Sequence, residues 1–380
     1  MVNNRFIGKT KCNKYVEKKA TTKNQHYVPQ FYQRNFSVDG KTIGAYILGQ
    51  DKYVPNAAIK HQASSDYFYS PNMKVEEALG GLESLASKAI EEIKKEPRDK
   101  MQGEDQMALF VYTMLQIGRT PAFVKMMMDN ANKMGTMMFR KYVEAKRKTE
   151  QAHEVELITD NVLDALSIEM KEPALHAIGT ISKILDVCYD LLKDPKILIN
   201  KTGKSFITSD NPACMYDQHF ERIGGLSYAL GTCGLQIYLP LNATLAIMYY
   251  DRDCYKLGDR RKTYVELMQE HDVEQLNRLV ACTADEVLYC EKGRSSDDDL
   301  QRYAKIHSKY HISDPVQTFD SLKSDSSEIF GVSSQPMFCK LELSFVKELP
   351  CYKARTASYY DYFANRYRKL AYLRQRFNQK

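Results

Sequence analysis

Two short clusters in this 380-residue chain carry the side chains best suited to chemistry. The first is His26-Tyr27-Val28-Pro29-Gln30-Phe31-Tyr32-Gln33-Arg34. If Pro29 opens a helix, it sets an imidazole and a guanidinium about two turns apart. An imidazole moves protons near neutral pH, and a guanidinium grips phosphate or carboxylate through a planar fork of donors. The second cluster, Phe206-Ile207-Thr208-Ser209-Asp210-Asn211-Pro212, reads as a strand that ends in a carboxylate and an amide before a proline that cannot join a ladder. A strand fixes the backbone while its tip stays open, so Asp210 and Asn211 are candidates for metal binding or proton transfer. The same residue types also form turns.

Other motifs fail on spacing. Thr202-Gly203-Lys204-Ser205 resembles the end of a phosphate-binding loop, but position 198 is leucine and the segment that follows is strand-like, so we expect a hairpin turn. His307 and His311 have the i, i+4 spacing of two metal ligands on one helix face, without the glutamate or third ligand of a zinc site, and read as surface histidines. The nine cysteines form no C-x-x-C pair and read as free thiols of a reducing cytoplasm.

Elements able to position these clusters follow from periodicity. Residues 42–48 are rich in β-formers, and a second short strand is expected near 66–69. Apolar residues recur every three or four positions over 75–93, predicting an amphipathic helix. Residues 104–116 are apolar nearly all round, so that helix belongs at the centre, and Gly118 ends it. Thr120 and Pro121 then give an N-cap and a first-turn proline for a Met-rich helix, whose methionines suit core gaps or, alternatively, a partner surface. A further helix is expected over 173–193. From 196 the period falls to two, predicting hairpins over 197–208 and 235–250, then a helix over 261–281, a strand over 286–290 and a late strand over 337–346. The expectation is an α+β fold: a helical middle of four or five helices on a mostly antiparallel sheet, closed by a C-terminal amphipathic helix. As domains, residues 24–292 form the core, 293–336 a polar excursion around a short helix, and 337–380 a C-terminal strand and helix.

Charge is concentrated at the ends. Residues 1–23, which read as a mobile arm, carry +6 and residues 353–380 carry +7; removing both from the net +6 leaves −7 for the body. Aromatic residues alternate with Arg366, Arg368, Lys369, Arg374 and Arg376 in the last segment, a pattern that suits RNA or DNA. Basic tails also serve solubility, and Tyr360, Phe363, Tyr367 and Leu370 share a helical stripe that would dock on the body. No apolar run approaches membrane-spanning length and the N-terminus lacks a signal-peptide core, so a cytoplasmic protein is expected.

The His26–Phe36 opening (HYVPQFY-RNF), Gln116–Pro121 (QIGRTP), the FITSDNP strand and the IYLPLN run that follows resemble a mainly bacterial family of unknown function. The resemblance spans roughly 25–285 and departs at Gln33, where the family has an aliphatic residue. It implies an intracellular α+β protein and adds two residues: Arg119, at the end of the apolar helix, and Glu83, the acidic residue beside the Leu82 and Leu85 core face. Together His26, Arg34, Glu83, Arg119, Asp210 and Asn211 suit hydrolysis of a phosphodiester. In that reading Glu83 and Asp210 hold a magnesium or manganese ion, His26 moves a proton and the arginines stabilise charge on phosphate. A nuclease in phage defence or a toxin is one expectation. The alternative is a protein that binds nucleic acid or another protein, in which the same residues form a buried network fixing helices to sheet.

Overall fold

A computed structural model describes residues 24–350, apart from 70–72, 102, 219–220, 222–229, 231, 325–326 and 335–337. The expected basic arm (1–23) and the C-terminal helix with Arg366, Arg368, Lys369, Arg374 and Arg376 lie outside the described residues. The chain begins with β1 (Asn24–His26) and the short helix α1 (Gln30–Arg34). A hairpin of β2 (Thr42–Ile47) and β3 (Lys52–Ala58) follows, and β4 (Ser64–Asp66) returns antiparallel to β1. The helical middle comprises α2 (Met73–Lys95), α3 (Gly103–Gly118), α4 (Pro121–Arg147), α5 (Asp160–Asp164), α6 (Pro173–Ser182) and α7 (Leu185–Leu192). Next come β5 (Lys196–Asn200), β6 (Thr208–Ser209), β7 (Cys214–Tyr216), β8 (Gln236–Pro240), β9 (Leu245–Tyr250), β10 (Tyr255–Leu257) and β11 (Tyr264–Leu267). Then α8 (Glu270–Thr283), β12 (Val287–Cys290), α9 (Asp297–Tyr310), the hairpin β13 (Val316–Ser324) and β14 (Ser327–Ser334), and β15 (Val346–Glu348) complete the fold.

Two sheets form the centre. One has the order β11-β5-β9-β8-β7, with only β11 and β5 parallel; the other, β3-β2-β12-β6, is antiparallel throughout. Alternate side chains of each strand enter different cores, as the pleat requires. Ile197, Ile199, Ile237, Leu239, Leu245, Ile247 and Tyr249 pack with α2, α3 and α6. Leu198, Tyr238, Ala246, Met248 and Tyr250 pack with α8 and α9 on the other face. Burial on both faces explains why these strands read as continuous apolar runs. The α+β class is as expected, and α3 is central, with Tyr112 to Gly118 all buried. The Thr120 hydroxyl accepts from the Phe123 N–H at 3.4 Å, capping α4 behind Pro121. Among the described residues no helix is long and apolar enough to cross a membrane, and the described cysteines are free thiols, all buried.

Several elements differ from expectation for local reasons. The hairpin expected over 197–208 does not form: β5 pairs with β9 and β11, whereas β6 joins β12 in the other sheet. The backbone between them is satisfied elsewhere, Phe206 N–H by the Ala243 carbonyl and Ile207 N–H by Asn277 of α8. The turn at 201–204 is closed by Asn200, which donates to Lys204 O and accepts from Thr202 N–H. The helix expected over 261–281 is a strand, β11, followed by α8, and that over 173–193 is two helices. The polar stretch after 295 contains α9 and a β13–β14 hairpin seated on α4, where Lys133 pairs with Asp314 at 3.0 Å. The late strand is confined to Val346–Glu348. In α4 only Val124 and Val143 are buried; Met127 packs half-buried against the core as expected, whereas Met128 and Met138 are exposed. His307 is half-buried, its Nδ1 is 3.0 Å from the Ala281 carbonyl, and its ring stacks on His311.

Candidate functional site

Because β1 pairs only with the short β4, the carbonyls at its end must find donors outside the sheet. Three successive ones do. His26 O accepts from Arg119 Nη2 at 3.1 Å and from the Tyr69 hydroxyl at 3.2 Å; Tyr27 O accepts from Gln116 Nε2 at 2.8 Å; Val28 O accepts from Gln33 Nε2 at 3.1 Å. Gln116 and Arg119 reach together because residues three apart share a helix face. Here Gln33 does something no aliphatic side chain could, donating to the carbonyls of both Val28 and Gln62. Tyr32, fully buried, donates to the Pro240 carbonyl at 2.6 Å and lies 2.9 Å from Thr208 Oγ1. The four sequence motifs therefore meet in one hydrogen-bonded joint between α3 and the two sheets.

The His26, Tyr69 and Arg119 end of the joint lines a cleft of about 420 Å³, together with Gln30, Arg34, Glu76 and Glu83, among others. Arg119 is 2% exposed; its Nη2 pairs with Glu83 Oε1 at 2.7 Å and its Nε donates to Tyr69 Oη at 2.7 Å. Burial works against its charge, but Tyr69, Glu83 and Tyr112 outweigh it, so the guanidinium stays protonated. Its Nη1 is buried without a hydrogen-bond partner among the described residues. His26 is half-buried, and burial lowers its pKa below 6.5, helped by the charges of Arg119 and Arg34 and opposed by hydrogen bonds to the backbone of Lys60 and Ile59. The ring is thus neutral at pH 7. Gln30 Nε2 stands 3.4 Å from His26 Nε2, a contact that suits an imidazole with that nitrogen unprotonated. Arg34 is exposed; it donates to Gln30 Oε1 at 2.9 Å and has no carboxylate partner among the described residues.

Asp210 and Asn211 are placed elsewhere. Asp210 is 3% exposed and does not line the cleft. Its Oδ1 accepts from Asp285 N–H at 2.9 Å, and its Oδ2 from Glu286 N–H at 2.7 Å and Val287 N–H at 3.1 Å. Burial pushes this carboxyl up to about 7, against the pull of those three donors. Asn211 donates to the Thr283 carbonyl at 2.9 Å, tying off the end of α8. The expected Glu83–Asp210 pair is therefore not assembled, because both Asp210 oxygens face backbone amides at the start of β12. Among the described residues no group of three or more His, Cys, Asp and Glu is arranged to hold a metal ion. The carboxylates of the cleft are Glu83 and Glu76.

Glu76, Gln30 and Tyr69 were missed by sequence. Glu76 precedes Glu83 by seven residues, two turns along the same face of α2, and that spacing was a usable signal. Gln30 stands four residues after His26. Tyr69 carried none.

The polar cleft on an α+β frame and its four converging motifs define the class of protein. A family model described as a protein of unknown function (DUF4238) matches residues 24–293, and the chain belongs to that family. No curated protein and no solved structure is matched.

Proposed function

We propose that the protein is a phosphodiester hydrolase, a nuclease, whose site is the His26 cleft. One observation carries this reading: a half-buried imidazole shares an open cleft with a guanidinium that has no carboxylate partner among the described residues. Arg34 would hold a non-bridging phosphate oxygen, and Arg119, already engaged, would position Glu83 and the His26 backbone. A water oxygen forms the new P–O bond while its proton passes to His26; the bond to the leaving oxygen breaks, and that oxygen takes a proton from solvent. Asp210 and Asn211 would act as scaffold.

The test is cleavage of labelled RNA and DNA with magnesium, manganese or chelator by wild type, His26→Gln and Arg34→Gln, with folding checked by circular dichroism. The expected loss for His26→Gln is about 100-fold or more in a folded protein. A wild type inactive on every substrate, or a His26→Gln variant as active as wild type, would sink the reading. The second reading is a structural joint in a nucleic-acid or protein-binding module, favoured by the three successive carbonyls that side chains satisfy. It expects His26→Gln to lower stability and leave binding intact.

A further inference from the structure

A second cleft, of about 260 Å³, opens where three connections meet: residues 99–101 between α2 and α3, 193–195 between α7 and β5, and 260–263 before β11. It shares no lining residue with the His26 cleft. Seven Lys and Arg side chains line it against two Asp. Some of those cations are already engaged. Arg252 pairs with Asp194, and Arg261 is clamped by Asp259 at 3.2 Å. Lys196, only 4% exposed at the start of β5, donates its ammonium protons to the carbonyls of Asp259, at 3.0 Å, and Lys262. Lys196 and Asp259 thus fix the basic loop in place, so its charges are held before any ligand arrives. Lys100, Lys193, Arg260 and Lys262 have no carboxylate within salt-bridge distance among the described residues, Lys262 lying 5.3 Å from the centre of the Tyr264 ring, and all four line one concavity.

Seven cations against two carboxylates leave the groove with an excess of positive charge, and a multivalent anion relieves the repulsion among those cations. A single carboxylate would neutralise one of them; closely spaced phosphates match the set. We propose that this cleft binds consecutive phosphates, whether of a nucleic-acid strand or of a free nucleoside polyphosphate. The proposal stands whether or not the His26 cleft is catalytic.

The experiment is fluorescence anisotropy of the full chain with a labelled single-stranded oligonucleotide over a salt series, with ATP and an acidic peptide as competitors. The variants are Arg260→Glu with Lys262→Glu and, on the other two connections, Lys100→Gln with Lys193→Gln, all exposed positions. Each pair should weaken binding of the oligonucleotide or ATP by about 10-fold or more and flatten the salt dependence by about 0.7 for each phosphate no longer held. Binding of the oligonucleotide alone identifies a nucleic-acid strand; ATP binding without it identifies a free polyphosphate. Wild type that binds neither, variants that bind as tightly as wild type because the termini do the work, or preference for the acidic peptide would overturn the assignment.

Discussion

Replacing Asp210 by alanine deletes the acceptor of three backbone N–H groups at once. A buried donor left without a partner costs about 1–3 kcal/mol. Glu286 is exposed and Asp285 and Val287 are half-buried, so water can recover part of that cost, and the Asp210 N–H to Val287 O bond is untouched. The low end of the range for each donor then gives about 3 kcal/mol in total, a large share of the roughly 5–15 kcal/mol that holds a typical domain together. Urea unfolding followed by circular dichroism should show this loss. Its pH dependence has a fixed sign. With its carboxyl pushed up to about 7, the folded chain keeps a proton that the unfolded chain releases near pH 4. The contribution of Asp210 is therefore full below about pH 4 and lost as pH rises through 7, so the gap between wild type and Asp210→Ala should be wider at pH 5 than at pH 8. An alanine variant within about 0.5 kcal/mol of wild type, the ordinary range for an inconsequential substitution, that also lost cleavage would refute the scaffold role and return Asp210 to the chemistry.

His26 carries the opposite sign. Its folded pKa lies below 6.5, so the unfolded chain binds the extra proton first; stability is full above about 6.5 and lost as pH falls through the folded value. Wild type should lose more stability than His26→Gln between pH 7 and 5, and cleavage should hold its rate past 6.5 before declining, both read against an NMR titration of the imidazole. Two glycines should behave differently. A Cβ on Gly118 would stand 2.6 Å from Ile181 Cγ1, so Gly118→Ala should cost about 1–3 kcal/mol by forcing α3 from α6. Gly81, in α2, meets nothing within 4 Å, so Gly81→Ala should stabilise by about 0.5–1 kcal/mol; equal thermal shifts for the two would contradict this packing.

Where periodicity is strong, as in α2, α3 and the β8–β9 pair, sequence places elements closely, because burial on one face or on both leaves a repeat that neighbouring residues share. It misplaces β6 because a strand's partner is chosen by distant groups: Asn277 and Ala243 take the backbone of 206–207, and no residue near Thr208 announces this. The site follows the second case. Arg119 and Glu83 are joined at 2.7 Å, a pairing the sequence did not specify, and Asp210 looked catalytic because an acidic residue at a strand end has two uses, which only its three amide neighbours distinguish.

The motifs singled out in the sequence are also the points where the layers of the fold are joined, and that limits what a loss of activity can mean. Tyr32, Gln33, Gln116 and Arg119 each satisfy a backbone carbonyl outside their own element, so removing any of them exposes an unpaired acceptor as well as altering the cleft. Inactive variants at these buried positions would be uninformative about chemistry. Arg34 differs: it is exposed and its side chain bonds Gln30 of its own helix, whereas the half-buried His26 ring is also bonded to the backbone of Ile59 and Lys60. Of the six residues that first suggested chemistry, Arg34 can be changed with the least disturbance to the fold, so the case for catalysis rests on it first, and on His26 through a variant whose stability is measured alongside its activity.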